Sequence, residues 1–164
     1  MSFGAVAPYW YDLIAPEERE RRALLSSDLC VIDEEHYFVR GSLEIPITDR
    51  RESFSWGVWV SLSRKNFERM IELWEFSGRE KEPPYSGWLS TALPCYPNTL
   101  NLKTHVHTRP VGFRPVIELE PTEHLLAVEQ QNGITIARVK EIVECISHDN
   151  TDESLIFERI EEEQ

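Results

Sequence analysis

The segment FSWGVWVSLSRKNFERMIELWEF, residues 54–76, leaves little freedom in how the chain can fold. Phe54, Trp56, Val58, Val60 and Leu62 alternate with Ser53, Ser55, Gly57, Trp59 and Ser61. Successive side chains of a strand point to opposite faces, so this period of two predicts a strand with one buried face. Trp59 is the exception, a large apolar residue on the otherwise polar face, and it is expected to stay exposed. Directly downstream the period changes. Phe67, Met70, Ile71 and Trp74 stand at helical spacing and predict one apolar helix face. Ser63 is placed to cap that helix by accepting a backbone N–H, and Gly78 suits its C-terminal stop. A core strand running straight into an amphipathic helix needs a sheet beside it and space for a helix above it, which is an α+β arrangement.

The flanking sequence supplies the other elements. Residues 16–25, PEERERRALL, read as a short helix with Pro at its first turn, acids next and arginines toward its end. Tyr9, Trp10 and Tyr11 precede it and are expected to pack this segment onto the body. Residues 28–32 and 36–47 read as strands joined at Asp33-Glu34-Glu35. In the second, Tyr37, Val39, Leu43, Ile45 and Ile47 share one face, and His36, Phe38, Arg40, Ser42 and Glu44 the other; Pro46 places that end at an edge or ends the strand. Residues 80–87 read as a loop, and 88–93 and 100–108 as strands separated by the turn at 94–98. In the latter strand Lys103, His105 and His107 alternate with Leu102, Thr104 and Val106. A short strand at 116–120 turns Ile117 and Leu119 inward and Glu118 and Glu120 outward. Helices follow at 123–132, capped by Thr122 and ended by Gly133, and at about 135–147. The expected assembly is a mostly antiparallel sheet of five or six strands with helices packed mainly on one face. Residues 1–148 form one α+β domain, and the acidic tail at 149–164, with a final turn around Leu155 to Ile160, is expected to be partly disordered.

Charge narrows the partners. The formal net charge is −12, and residues 149–164 alone hold seven acids against Arg159. Phosphate backbones would be repelled, so no nucleic acid is expected as a partner. No apolar run reaches the ~18 residues that span a bilayer, and MSFGAVAPYWYDL lacks the layout of a signal peptide, so no membrane partner and a cytoplasmic location are expected. Cys30, Cys95 and Cys145 are widely spaced and odd in number, which predicts reduced thiols, with Cys30 a small core residue in the stretch LCVI.

The longer strings carry a resemblance. RRALLSSDLCVID at 21–33, HYFVRGSLEIPI at 36–47, FSWGVWVSLSRKNF at 54–67, GWLSTALPCYPNTLNLKTHVH at 87–107 and ELEPTEHLLAVEQQNGIT at 118–135 stand in order along the chain. Over roughly residues 9–140 it resembles the bacterial domain-of-unknown-function family 2199. The resemblance implies no particular activity. Many members of that family begin with a Cys-x-x-Cys-Gly segment; MSFGAVAP holds no such pair, so a zinc-knuckle role is not carried over.

Three groups of residues could carry chemistry. Lys103, His105 and His107 point the same way, with Arg109 just beyond, and Arg40 and Trp59 lie on the polar faces of two other strands. Together they could bind an anion or an acidic side chain, Trp59 stacking on a flat group. Alternatively Glu44, Glu118 and Glu120 pair with these cations across the strands. His105 and His107, completed by His124 or Glu120, could hold zinc for a metal-assisted hydrolase, although His-x-His alone is weak. Glu118 and Glu120 could form an acid–base pair, or simply be solvated acids at a corner. No phosphate-loop, dinucleotide or serine-nucleophile motif occurs. These features favour a non-enzymatic binding protein without a cofactor, engaging a protein partner or a small anionic ligand. A homo-oligomer with Trp59 in its contact is a further reading.

Overall fold

The computed structural model describes residues 1–149 together with the strand Phe157–Arg159. Nine strands lie in the described residues: β1 (Ser2–Ala5), β2 (Ala23–Leu25), β3 (Leu29–Ile32), β4 (His36–Pro46), β5 (Ser53–Leu62), β6 (Tyr85–Leu89), β7 (Lys103–His107), β8 (Val116–Leu119) and β9 (Phe157–Arg159). The helices are α1 (Tyr9–Asp12), α2 (Arg19–Arg22), α3 (Arg64–Glu72), α4 (Leu125–Asn132) and α5 (Ile136–Asp149). Apart from the end of α5 and β9, the acidic tail expected at 149–164 lies outside the described residues.

β4 and β5 pair antiparallel along their whole length, from Tyr37↔Leu62 to Pro46↔Ser53. Each is long enough to serve two partners on its other edge. β4 takes β3 along its first half and the parallel β8 at Ser42↔Val116. β5 takes β6 at Val60 and Ser61, and the parallel β1 at Ser55 to Gly57. Because β7 joins β6 to β8, the ring β4-β8-β7-β6-β5 closes on itself. The expected simple antiparallel sheet with helices on one face is thus corrected to an α+β fold built on a five-stranded barrel, with β3-β2 and β1-β9 as flaps. Closure leaves none of those five strands as an open edge.

The barrel interior is the face that the alternation predicted. Phe54, Trp56, Val58 and Val60 are fully buried, opposite Ile45, Leu43 and Val39 of β4, with Leu89, Val106, Ile117 and Leu119 completing the ring. A five-stranded barrel is narrow, and Gly41 shows it. A Cβ there would stand 2.6 Å from Ile117 Cδ1 and 2.9 Å from the Pro115 carbonyl. β8 can approach β4 only because that position has no side chain. Phe67 and Met70 of α3 and Leu126, Val139, Ile142 and Ile146 of α4 and α5 extend this core at its ends.

Local chemistry sets the helix starts. Ser63 Oγ accepts from Asn66 N at 3.1 Å, as its position predicted. The cap of α4 is His124 rather than Thr122: its Nδ1 accepts from Leu126 N at 3.1 Å, while Thr122 Oγ1 accepts from His124 N. The helix expected at 16–25 is shorter. A 3-10 turn at Pro16–Glu18 leads into α2, and Ala23–Leu25 then pair with β3. Ladder bonds to Cys30–Ile32 outweigh the helix propensity of Ala and Leu there. β6 starts three residues earlier than expected, so Tyr85 and Gly87 belong to the barrel rather than to a loop.

The cysteines correct another expectation. Cys95, in the turn between β6 and β7, is disulfide-bonded to Cys145 on α5, with Cα atoms 6.0 Å apart. Counting thiols could not reveal that residues separated by 50 positions meet in space. Cys30 is the core residue expected, fully buried, and burial, with the charge of Asp12 second, pushes its thiol up to about 12. The thiolate is the reactive form. Alkylation of the native protein at pH 8 is therefore expected to leave Cys30 unmodified, and intact-mass analysis after unfolding without reductant should find one alkylated thiol. Rapid labelling of Cys30 in the native state would contradict its burial.

Candidate functional site

The outer face of the barrel is not uniformly polar. Phe38 and Trp59 lie on it and are buried, together with Ile14, Cys30 and Ile32, in a second small core. The segment from β1 through α1 to Ile14 covers them. Trp59, expected to be exposed, is 0% exposed, and its indole Nε1 donates to the Ala5 carbonyl at 3.0 Å. The pattern flagged Trp59 correctly as apolar on a polar face, but its cover comes from a segment some fifty positions away in the chain, beyond the reach of any periodicity.

The other expected site residues are dispersed. Arg40 pairs in register with Trp59, but its Nη1 reaches the Ser27 carbonyl at 3.4 Å. Beside it lies Asp28, which Arg114 bonds at 2.8 Å. Partial burial pushes the Asp28 carboxyl up, but bonds from Arg114 and Ser27 and the nearby charges of Arg114 and Arg40 outweigh this and hold it below the usual range. His105 Nε2 stands 3.4 Å from Glu120 Oε1, and His107 Nε2 3.5 Å from Glu118 Oε1, the cross-strand pairing foreseen as the alternative. Arg109 lies over the Phe113 ring at 5.0 Å. His124 is occupied at both nitrogens, capping α4 with Nδ1 and facing the Pro97 and Asn98 carbonyls with Nε2. Among the described residues no three His, Cys, Asp or Glu side chains are placed to hold a metal ion.

Lys103 has a different neighbour from the one expected. It pairs in register with Trp88 of β6, and its ammonium lies over that indole, 5.6 Å from the ring centre. Trp88 is 47% exposed, and among the described residues Lys103 has no carboxylate within salt-bridge distance. The exposed indole beside the basic row is therefore Trp88, not Trp59. The signal was present in YSGWL, residues 85–89, where Trp88 alternates outward between Gly87 and Leu89.

The registers place these residues on one line. Cys30↔Phe38, Phe38↔Ser61, Ser61↔Trp88 and Trp88↔Lys103 form a transverse row over β3, β4, β5, β6 and β7. At about 4.8 Å per strand, Phe38 and Lys103 stand roughly 14 Å apart along it. Beside Phe38 and Ser61 of this row lies a groove of about 540 Å³, within the range of small-molecule sites. Ile14, Ile32, Phe38 and Leu62 line its apolar part, and Trp10 and Leu13 of the covering segment overhang it. At the end away from Trp88 the rim is polar: Arg22 holds Asp33 through two bonds of 2.9 and 2.7 Å, beside Glu35 and His36.

No helix among the described residues is long and apolar enough to cross a membrane. Neither the curated proteins nor the solved structures contain a match to this chain. A family model does match, that of DUF2199, described as uncharacterized protein conserved in bacteria, and it covers residues 1–134. That span takes in the whole five-stranded barrel, the covering N-terminal segment and α4, hence the entire transverse row. The chain belongs to this bacterial family of uncharacterised proteins.

Proposed function

We propose that the protein is a non-enzymatic binding protein that holds a small ligand by an anionic group on the outer strip formed by Trp88 and Lys103. One observation carries this reading: an ammonium without a carboxylate partner among the described residues rests against a half-exposed indole. The ring offers a face for a flat group and the ammonium a counter-charge for a carboxylate. On a chain of net charge −12, such a local cation gives an anion one favourable place to settle. His105 and His107 flank the strip but are already turned to Glu120 and Glu118, so the ligand's charge falls to Lys103.

Benzoate, flat and anionic, is the simplest probe. Titrated into the isotope-labelled protein, it should shift the Trp88 indole and Lys103 amide resonances saturably. Lys103→Gln is expected to weaken it about fivefold, the scale of one exposed charge pair. Trp88→Ala should weaken it comparably. Equal benzoate affinity in the parent and both variants would remove the proposal.

A further inference from the structure

We infer that the ligand class is an amphiphilic organic anion, with its charged head at Lys103 and its apolar body in the groove over Phe38 and Ser61. This rests on the reading of Trp88 and Lys103 as an anion site, and adds to it the part of the surface that reading leaves unused. The argument is one of continuity. Along the row the side chains pass from buried and apolar (Phe38), through half-buried and small (Ser61), to exposed and aromatic (Trp88), to exposed and cationic (Lys103). Ser61 belongs both to the groove lining and to the register pair with Trp88, so groove and strip meet at that residue. A small residue at this junction leaves the passage open.

Polarity fixes the orientation. The groove's far rim carries Glu35, His36 and the Arg22–Asp33 pair, whose guanidinium is already bonded to a carboxylate. At the Trp88 end stands Lys103, while Glu120, which follows β8 and donates its backbone N–H to the Lys103 carbonyl, turns its carboxylate to His105. The head therefore points toward β7 and the body toward the covering segment. Trp10, 38% exposed, and Leu13, 61% exposed, present apolar surface over the groove that such a body would cover. The roughly 14 Å from Phe38 to Lys103 suits an extended chain of about ten carbons better than a compact anion.

Hexanoate, octanoate and decanoate, each kept below its aggregation concentration, test this on the full chain by calorimetry and by the resonances of Trp10, Ser61 and Trp88. Affinity is expected to rise along the series by up to about fourfold per methylene, the gain from burying a CH₂ group. Ser61→Phe, which would block the junction, should flatten the series while benzoate still binds. Leu13→Ser, at a position 61% exposed, should reduce the slope as well and guards against a folding defect in the first variant. Lys103→Gln should weaken all three carboxylates by the same factor, and octanol should bind more weakly than octanoate. A flat series with benzoate binding intact and dependent on Lys103 would overturn the amphiphile assignment and leave the anion site standing. A rising series indifferent to Lys103 would overturn the assignment together with the anion reading. A slope unchanged in both Ser61→Phe and Leu13→Ser would overturn the placement in the groove.

Discussion

Trp59→Ala is expected to lower the folding stability by about 3–5 kcal/mol, the usual cost of deleting a buried indole. The side chain is fully buried, touches the apolar residues of the second core, and donates to the Ala5 carbonyl at 3.0 Å. Removing it empties the space between barrel and covering segment and also takes a donor from the Ala5 carbonyl, so cavity and hydrogen-bond losses add. Denaturant unfolding followed by circular dichroism measures this as a lower midpoint at similar slope. Hydrogen exchange should localise the effect, with amides of β1 and α1 losing protection before those of β5. Trp59→Phe keeps most of the volume but not the donor, and should fall between parent and alanine variant. A loss below 1 kcal/mol in Trp59→Ala would mean that the covering segment is not packed on the barrel as described. On this account any exposed-aromatic role belongs to Trp88, whose replacement should leave stability nearly unchanged.

The second large effect is expected at Arg79, which no sequence pattern singled out. Its side chain is buried and donates to four main-chain carbonyls: Nε to Arg109 at 2.8 Å, Nη1 to Trp74 at 2.9 Å, and Nη2 to Pro110 and Phe113 at 3.1 Å each. The guanidinium also lies 5.5 Å from the centre of the Trp74 ring. It therefore ties the segment after α3 to the loop that leads from β7 into β8. Arg79→Ala removes a donor from four carbonyls at once, of which Pro110 keeps the Phe113 N–H, and about 3 kcal/mol is expected from that loss. Arg79→Lys keeps the charge but not the planar fork, and should recover only a minor part. Thermal unfolding of the two variants beside the parent checks both the size and the order. If Lys restored the parent's melting temperature, charge rather than fork geometry would be the requirement.

How much was legible in the chain depended on how local the cause was. The alternation from Phe54 to Leu62 and the Ser63 cap rest on neighbouring residues, and both appear where expected. Phe67 and Met70 are buried as their spacing predicted, but α3 ends at Glu72 and leaves Ile71 exposed, because the apolar stripe is needed only where the helix meets the barrel. The split edges of β4 and β5 depend on which distant strand arrives, and nothing in either strand's own residues announces it. The same holds for Cys95 with Cys145 and for the four partners of Arg79. At the candidate site, Lys103 stands in a clear alternation that the sequence displays. Its aromatic neighbour is Trp88 rather than Trp59 because register between β6 and β7 is set by barrel closure, not by either strand alone. His105 and His107 were read correctly as a pair on one face, and it is Glu118 and Glu120, at the matching alternate positions of the next strand, that meet them.

Barrel closure also has a history in time. β4 and β5 are joined by a short connection and can meet as soon as both exist, but the seam at Ser42↔Val116 joins positions separated by about 70 residues of chain. Long-range, parallel pairings of this kind are slow to form. During synthesis the β4–β5 hairpin, α3 and β6 must wait with one flank of β4 unsealed until β8 has emerged. Gly41 sits at that waiting flank. Its lack of a side chain, described above as a matter of space, also keeps the docking groove for Ile117 clear throughout the delay, so the last strand of the ring meets a prepared edge.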